Sequence, residues 1–250
     1  LNSSLLLKEI VAKQDPKASI GVFCEKTSAS RGSLLGSQSH LFISLVGQSL
    51  IENQKPYRIL ELDQYFAAEK LPLPSEMPLL IIPSSDYKNS ATSRKLEQKF
   101  KTYIEAGGKI VWFASDHTRM LGELSTSLAP ITKEITLDSG NKVKITDLTN
   151  PDDAITFDAI RIPNNFNGII KLGHSISDPN KYDALLKFNY SDSDFIIAAS
   201  SKDHKTTYIN PLFFYPASID ETYEKLIPCA SHKDMSAFFN SALNRLLENK

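Results

Sequence analysis

Cysteine is nearly absent from this 250-residue chain. The two that occur, Cys24 and Cys229, stand far apart and outside any C-x-x-C spacing, so neither a disulfide framework nor a zinc site is implied. Two buried thiols are the simplest account. An excess of either charge is also missing: 28 Lys and Arg stand against 29 Asp and Glu, a formal net charge of -1. No global basic field draws the chain to nucleic acid or anionic lipid. No apolar run approaches the roughly 20 residues that span a bilayer, so direct membrane insertion is not expected. The opening LNSSLLLKEIVAKQ has neither the basic end nor the long apolar centre of a signal peptide. Repeats and low-complexity segments are lacking. Asn2-Ser3-Ser4 and Asn189-Tyr190-Ser191 match the glycosylation pattern, but such triplets arise by chance too often to carry weight. The numbering opens on Leu, which raises the expectation of a processed chain or a domain cut from something longer.

What is present suits a large core. With 41% hydrophobic and 23% charged residues, the chain can bury one α/β domain, or one domain with a subdomain. SIGVFC, residues 19–24, is a short apolar run that reads as a buried parallel strand. From Ser37 to about Gln54, Leu41, Leu45, Val46 and Ile51 recur near helical spacing, with Ser37 as N-cap. YRILEL (57–62) and Leu79 to Pro83 read as further strands. Ser90 to Ala106 sets Leu96, Phe100, Tyr103 and Ile104 on one helical face and stops at Gly107-Gly108. KIVWFAS (109–115) is the next strand, and DHTRMLGELSTSL (116–128) starts another helix.

Strands alternating with helices at this spacing predict right-handed crossovers and a parallel sheet covered on both faces. The expected fold is therefore a doubly wound, mostly parallel, flavodoxin-like α/β sheet. The second half predicts a β-rich extension: a hairpin around Ser139-Gly140, a strand in ITFDAIRI, then DALLKFNY, DFIIAASS and KTTYINPLFF as consecutive extended segments. Asp234 to Asn249 carries Phe238, Phe239, Leu243, Leu246 and Leu247 at helical spacing. One domain over 1–250 is expected, with 131–180 as a β-rich insertion.

PLLIIPSSD followed by LEQKFKTYIEAGGKIVWFAS and a helix start resembles the class I glutamine amidotransferase-like superfamily. The likeness is to its non-amidotransferase branch: trehalose-utilisation (ThuA-like) proteins, the domain that assembles trimers in family-42 β-galactosidases, and gliding-motility or intraflagellar-transport relatives. It covers residues 19 to 128, and the final KTTYINPLFF plus helix more loosely. In true amidotransferases the family pattern places a nucleophilic Cys in a G-x-C-x-G elbow after the strand matching KIVWFAS. Here Ala114 or Ser115 holds that place, with no flanking glycine. A strained elbow needs small neighbours, which Phe113 and Asp116 are not. The family's His-x-Glu pair is missing as well, since His174, His204 and His232 are followed two residues on by Ile176, Thr206 and Asp234. Glutamine hydrolysis is not expected.

Open doubly wound sheets bind ligands outside the carboxyl ends of their strands. That rule nominates Cys24-Glu25, Ser84-Ser85-Asp86 and Ser115-Asp116-His117 as walls of one crevice. Each group has a plainer account, because Ser and Asp also fill such positions as helix caps and Asp116 at a helix start meets a favourable dipole. Ser115 and His117, two apart in a strand-to-helix turn, do not ordinarily meet as nucleophile and base. No ligand spacing specifies a metal on Glu25, Asp116 and His117, and no cofactor motif is found. Trp112, Phe113, Tyr103 and Phe100 read as core rather than as a sugar-stacking platform, and PLFFYP (211–216) is either a contact patch or the last strand.

The reading that emerges is a non-catalytic interaction, assembly or ligand-sensing module of a larger, carbohydrate-related protein. Its partners would be another protein or other domains of the same polypeptide, with a small molecule or sugar as ligand. An extracytoplasmic setting follows if that larger protein is exported. The second expectation is a ThuA-like enzyme acting on a sugar at the crevice.

Overall fold

Five short runs form a parallel sheet; four of them are buried on both faces and too short to be helices, while YRILE at the edge buries only Tyr57 and Leu60. A computed structural model describes residues 3–24, 46–61, 71–82, 90–113, 128–130, 144–149, 156–158, 174–176, 180, 182–190, 193–209 and 232–248. Its first half comprises helix α1 (Ser3–Ala12), β1 (Ile20–Cys24), helical residues 46–52 (α2), β2 (Tyr57–Glu61), β3 (Leu79–Ile82), α3 (Ser90–Glu105) and β4 (Lys109–Phe113). Short strands follow at β5 (Leu128–Pro130), β6 (Lys144–Asp147), β7 (Thr156–Asp158) and β8 (His174–Ile176). Longer β9 (Tyr182–Tyr190) and β10 (Ser193–Ser201), then β11 (Thr206–Ile209) and α4 (His232–Glu248), complete the described elements.

The sheet runs β2-β1-β3-β4-β11-β10-β9-β6-β7. Its first five strands are mutually parallel, and the pairs from β11 to β7 are antiparallel. The chain moves one way from β1 to β2 and the other way from β3 to β4. Right-handed crossovers in opposite directions place their helices on opposite faces, which is what doubly wound means.

Side-chain alternation confirms two covered faces. Phe23, Leu60, Ile82, Trp112 and Tyr208 point to the face capped by α3, where they pack with Phe100 and Tyr103. Register makes this a continuous row, with Phe23 opposite Leu60 and Trp112 opposite both Ile82 and Tyr208. Phe23 meets Phe100 edge-on at 6.1 Å, and Trp112 meets Tyr208 at 5.9 Å. Ile20, Val22, Leu79, Ile81, Val111, Phe113 and Ile209 point the other way and are also buried. On that face Phe113 packs on Phe239 of α4 at 5.8 Å, and the Tyr57 hydroxyl donates to the Ile10 carbonyl of α1 at 2.6 Å. Each fully buried aliphatic or aromatic side chain contributes about 1.5–3 kcal/mol, so both layers are needed to hold the sheet.

Helix ends are built locally. α3 stops where the Gly108 N–H bonds the Tyr103 carbonyl at 2.9 Å and the Gly107 N–H bonds that of Ile104 at 3.0 Å. This is a Schellman cap with Gly107 at φ +94°. α2 ends in the same pattern, Lys55 to Leu50 and Gln54 to Ile51, yet a glutamine at φ +53° takes the left-handed position. Between β10 and β11 the turn is organised by Ser201, whose hydroxyl accepts from the N–H groups of Lys205 and Thr206.

The strands of the second half join this same sheet rather than standing apart: β6 lies between β9 and β7. Two expectations need adjusting. Helix α1 went unread in the sequence, and Leu128, placed at the end of a helical segment, belongs to β5. The predicted turn at Ser139-Gly140, residues 37–45 of the helix expected from Ser37, and PLFFYP lie outside the described residues.

Candidate functional site

Strand order locates the crevice independently of any motif. β1 has β2 on one side and β3 on the other, and the connection from β1 to β2 runs opposite to that from β3 to β4, so the switch point lies between β1 and β3. Cys24 is the last residue of β1 and stands opposite Glu61 in the ladder. β3 ends at Ile82 and β4 at Phe113, so Ser84 and Ser115 each come two residues after a carboxyl end. Glu25, Ser84, Ser85, Asp86, Ser115, Asp116 and His117 lie outside the described residues.

Register adds a boundary that sequence reading did not supply. Ile196 of β10 pairs with Lys187 of β9 and with His174 of β8, so β8 occupies the edge of β10 that β11 uses further along, at Ala198 to Ser200. β8 therefore continues the line of β11 past its carboxyl end. β5, antiparallel to β8 from Leu128 to Pro130, lies on the side of β8 away from β10, past the carboxyl end of β4. The β5–β8 pair thus bounds the strand-end region on the β4–β11 side, and the β1–β3 switch point lies away from it. Three-residue strands such as LAP and HSI have no periodicity to read, which is why they were missed.

Three described groups, Tyr57, Tyr103 and Lys109, have shifted ionisation. Burial, with a smaller effect from the Glu9 charge, pushes the Tyr57 hydroxyl up to about 12. Burial raises Tyr103 further, against the opposing effect of its hydrogen bond with the Lys109 backbone, and holds the Lys109 ammonium below the ordinary lysine range. Tyr57 and Lys109 open β2 and β4, and the Tyr103 hydroxyl donates to the Met77 carbonyl just before β3, at 2.5 Å. Lys109 Nζ in turn donates to the Leu246 carbonyl in the last turn of α4. All three groups sit at the amino ends of the strands, opposite the candidate site, and each works as a helix or strand tie. Perturbed ionisation here is a by-product of packing, not a sign of catalysis.

Other polar side chains tie helices to one another and to the sheet. The Asn53 amide donates to the Ser236 hydroxyl at 3.0 Å, and Ser236 donates to Glu52 at 3.2 Å, joining α2 to α4. Arg245 of α4 reaches the Thr149 carbonyl at 2.6 Å. The Trp112 indole N–H, on the penultimate residue of β4, is buried and has no hydrogen-bond partner among the described residues.

Among the described residues, no helix is long and apolar enough to cross a membrane. No family model and no curated protein matches the chain. Among solved structures it is similar to a β-galactosidase from the psychrophilic Marinomonas ef1, with TM-score 0.46 and 9% identity over 99% of this chain and 32% of that one. The exo-β-1,4-mannosidase Op5Man5 from Opitutaceae bacterium strain TAV5 gives TM-score 0.48 and 12% identity over 92% of this chain and 34% of that one. A β-galactosidase from Bifidobacterium adolescentis gives 0.31 and 8% over 73% and 85%. The chain spans 32% and 34% of the first two, about a third of each. Overlap of this extent says nothing about what this chain binds or does.

Proposed function

We propose that residues 1–250 form a single amidotransferase-like α/β domain with no catalytic role, serving as an interaction, assembly or ligand-sensing module of a larger, carbohydrate-related protein. The observation that carries this reading is the end of β4. The strand closes at Phe113 and the chain continues Ala114-Ser115-Asp116, where the resembled family would need a glycine-flanked cysteine. The carbohydrate setting comes from the resemblance of the strand, helix, Gly-Gly, strand cassette, and fold-level analogy of this kind proposes a context without proving it.

The test is the intact mass of the protein from its native source, with titration of that protein by galactose and trehalose and an assay for glutamine hydrolysis. A mass well above 27.8 kDa with no glutaminase activity agrees with the module. Glutamine turnover would overturn it, and so would chemical conversion of either sugar. Sugar binding without turnover would select the ligand-sensing form.

A further inference from the structure

We draw no further inference here: the strongest candidate, the β5–β8 pair that continues the sheet past the carboxyl ends of β4 and β11 with His174 opposite Ile196, carries nothing because nothing among the described residues shows what faces it across the crevice.

Discussion

Gln14 closes the outer edge of the sheet at Ile59. Its Oε1 accepts from the Ile59 N–H at 3.1 Å, its Nε2 donates to the Val11 carbonyl at 3.0 Å, and the neighbouring Asp15 N–H bonds the Tyr57 carbonyl at 2.9 Å. One amide side chain thus satisfies the end of α1 and an exposed rung of β2, the strand that would otherwise invite pairing with another chain. Gln14→Ala is expected to cost about 1 kcal/mol and to increase association on concentration. Urea unfolding followed by light scattering reads both effects, and a variant as stable and as monomeric as the parent would show that the edge is protected by something else.

The two adjacent glycines of the α3 cap should fail for different reasons. A Cβ at Gly107 meets nothing within 4 Å, but φ +94° strains any L-residue. A Cβ at Gly108 would run into the Tyr103 ring, whose hydroxyl is already committed to Met77. Gly107→Ala should lose about 1 kcal/mol and be partly rescued by Asn, whereas Gly108→Ala should lose about 1–3 kcal/mol with no rescue by Asn. Equal behaviour of the two Asn variants in denaturant unfolding would refute this distinction.

Gln54 offers the reverse experiment. It occupies the left-handed position of the α2 cap without a glycine's freedom, so Gln54→Gly should stabilise by about 0.5–1 kcal/mol after the extra entropy of the unfolded chain is subtracted. Thermal unfolding should move upward; a decrease would mean the side chain holds a contact worth more than the strain.

Alkaline pH should weaken the fold through Tyr57. Its folded-state pKa of about 12 lies above the ordinary value of 10.0, so the folded state keeps a proton that the unfolded state releases. The stabilisation is complete below pH 10 and is lost as pH rises from there toward 12. Tyr103 acts in the same sense, and Lys109 in the opposite one, because the folded state sheds the Lys109 proton first. Tyr57→Phe should lower stability at pH 8 by about 1 kcal/mol and flatten its fall between pH 10 and 11.5. An unchanged slope in urea titrations across that range would reject this assignment.

Replacing Ser115 and His117 together by Ala bears on function directly. If these residues are helix caps, unfolding should shift by no more than about 1 kcal/mol and partner binding should be unaffected. Loss of a sugar-dependent activity at unchanged stability would instead make the strand-end crevice an active site.

Much of the parallel half was legible in the chain itself. Burial on both faces leaves runs such as LLII and KIVWF almost no alternative to a central strand, and Gly107-Gly108 marks a helix stop because a left-handed residue is needed there. Local chemistry of this kind depends on a few neighbouring residues, so sequence determines it. Which strands adjoin was different: the place of β11 beside β4, nearly a hundred residues apart, and of β8 in line with β11, depends on hydrogen-bond register between distant segments. The same holds for Tyr57, Tyr103 and Lys109, whose ties to Ile10, Met77 and Leu246 arise only when helices settle on the sheet. Sequence determined the longer strands and the missing elbow, and the tertiary structure decided their neighbours and the three-residue strands β5 and β8, because pairing is a long-range choice that no short window of residues contains.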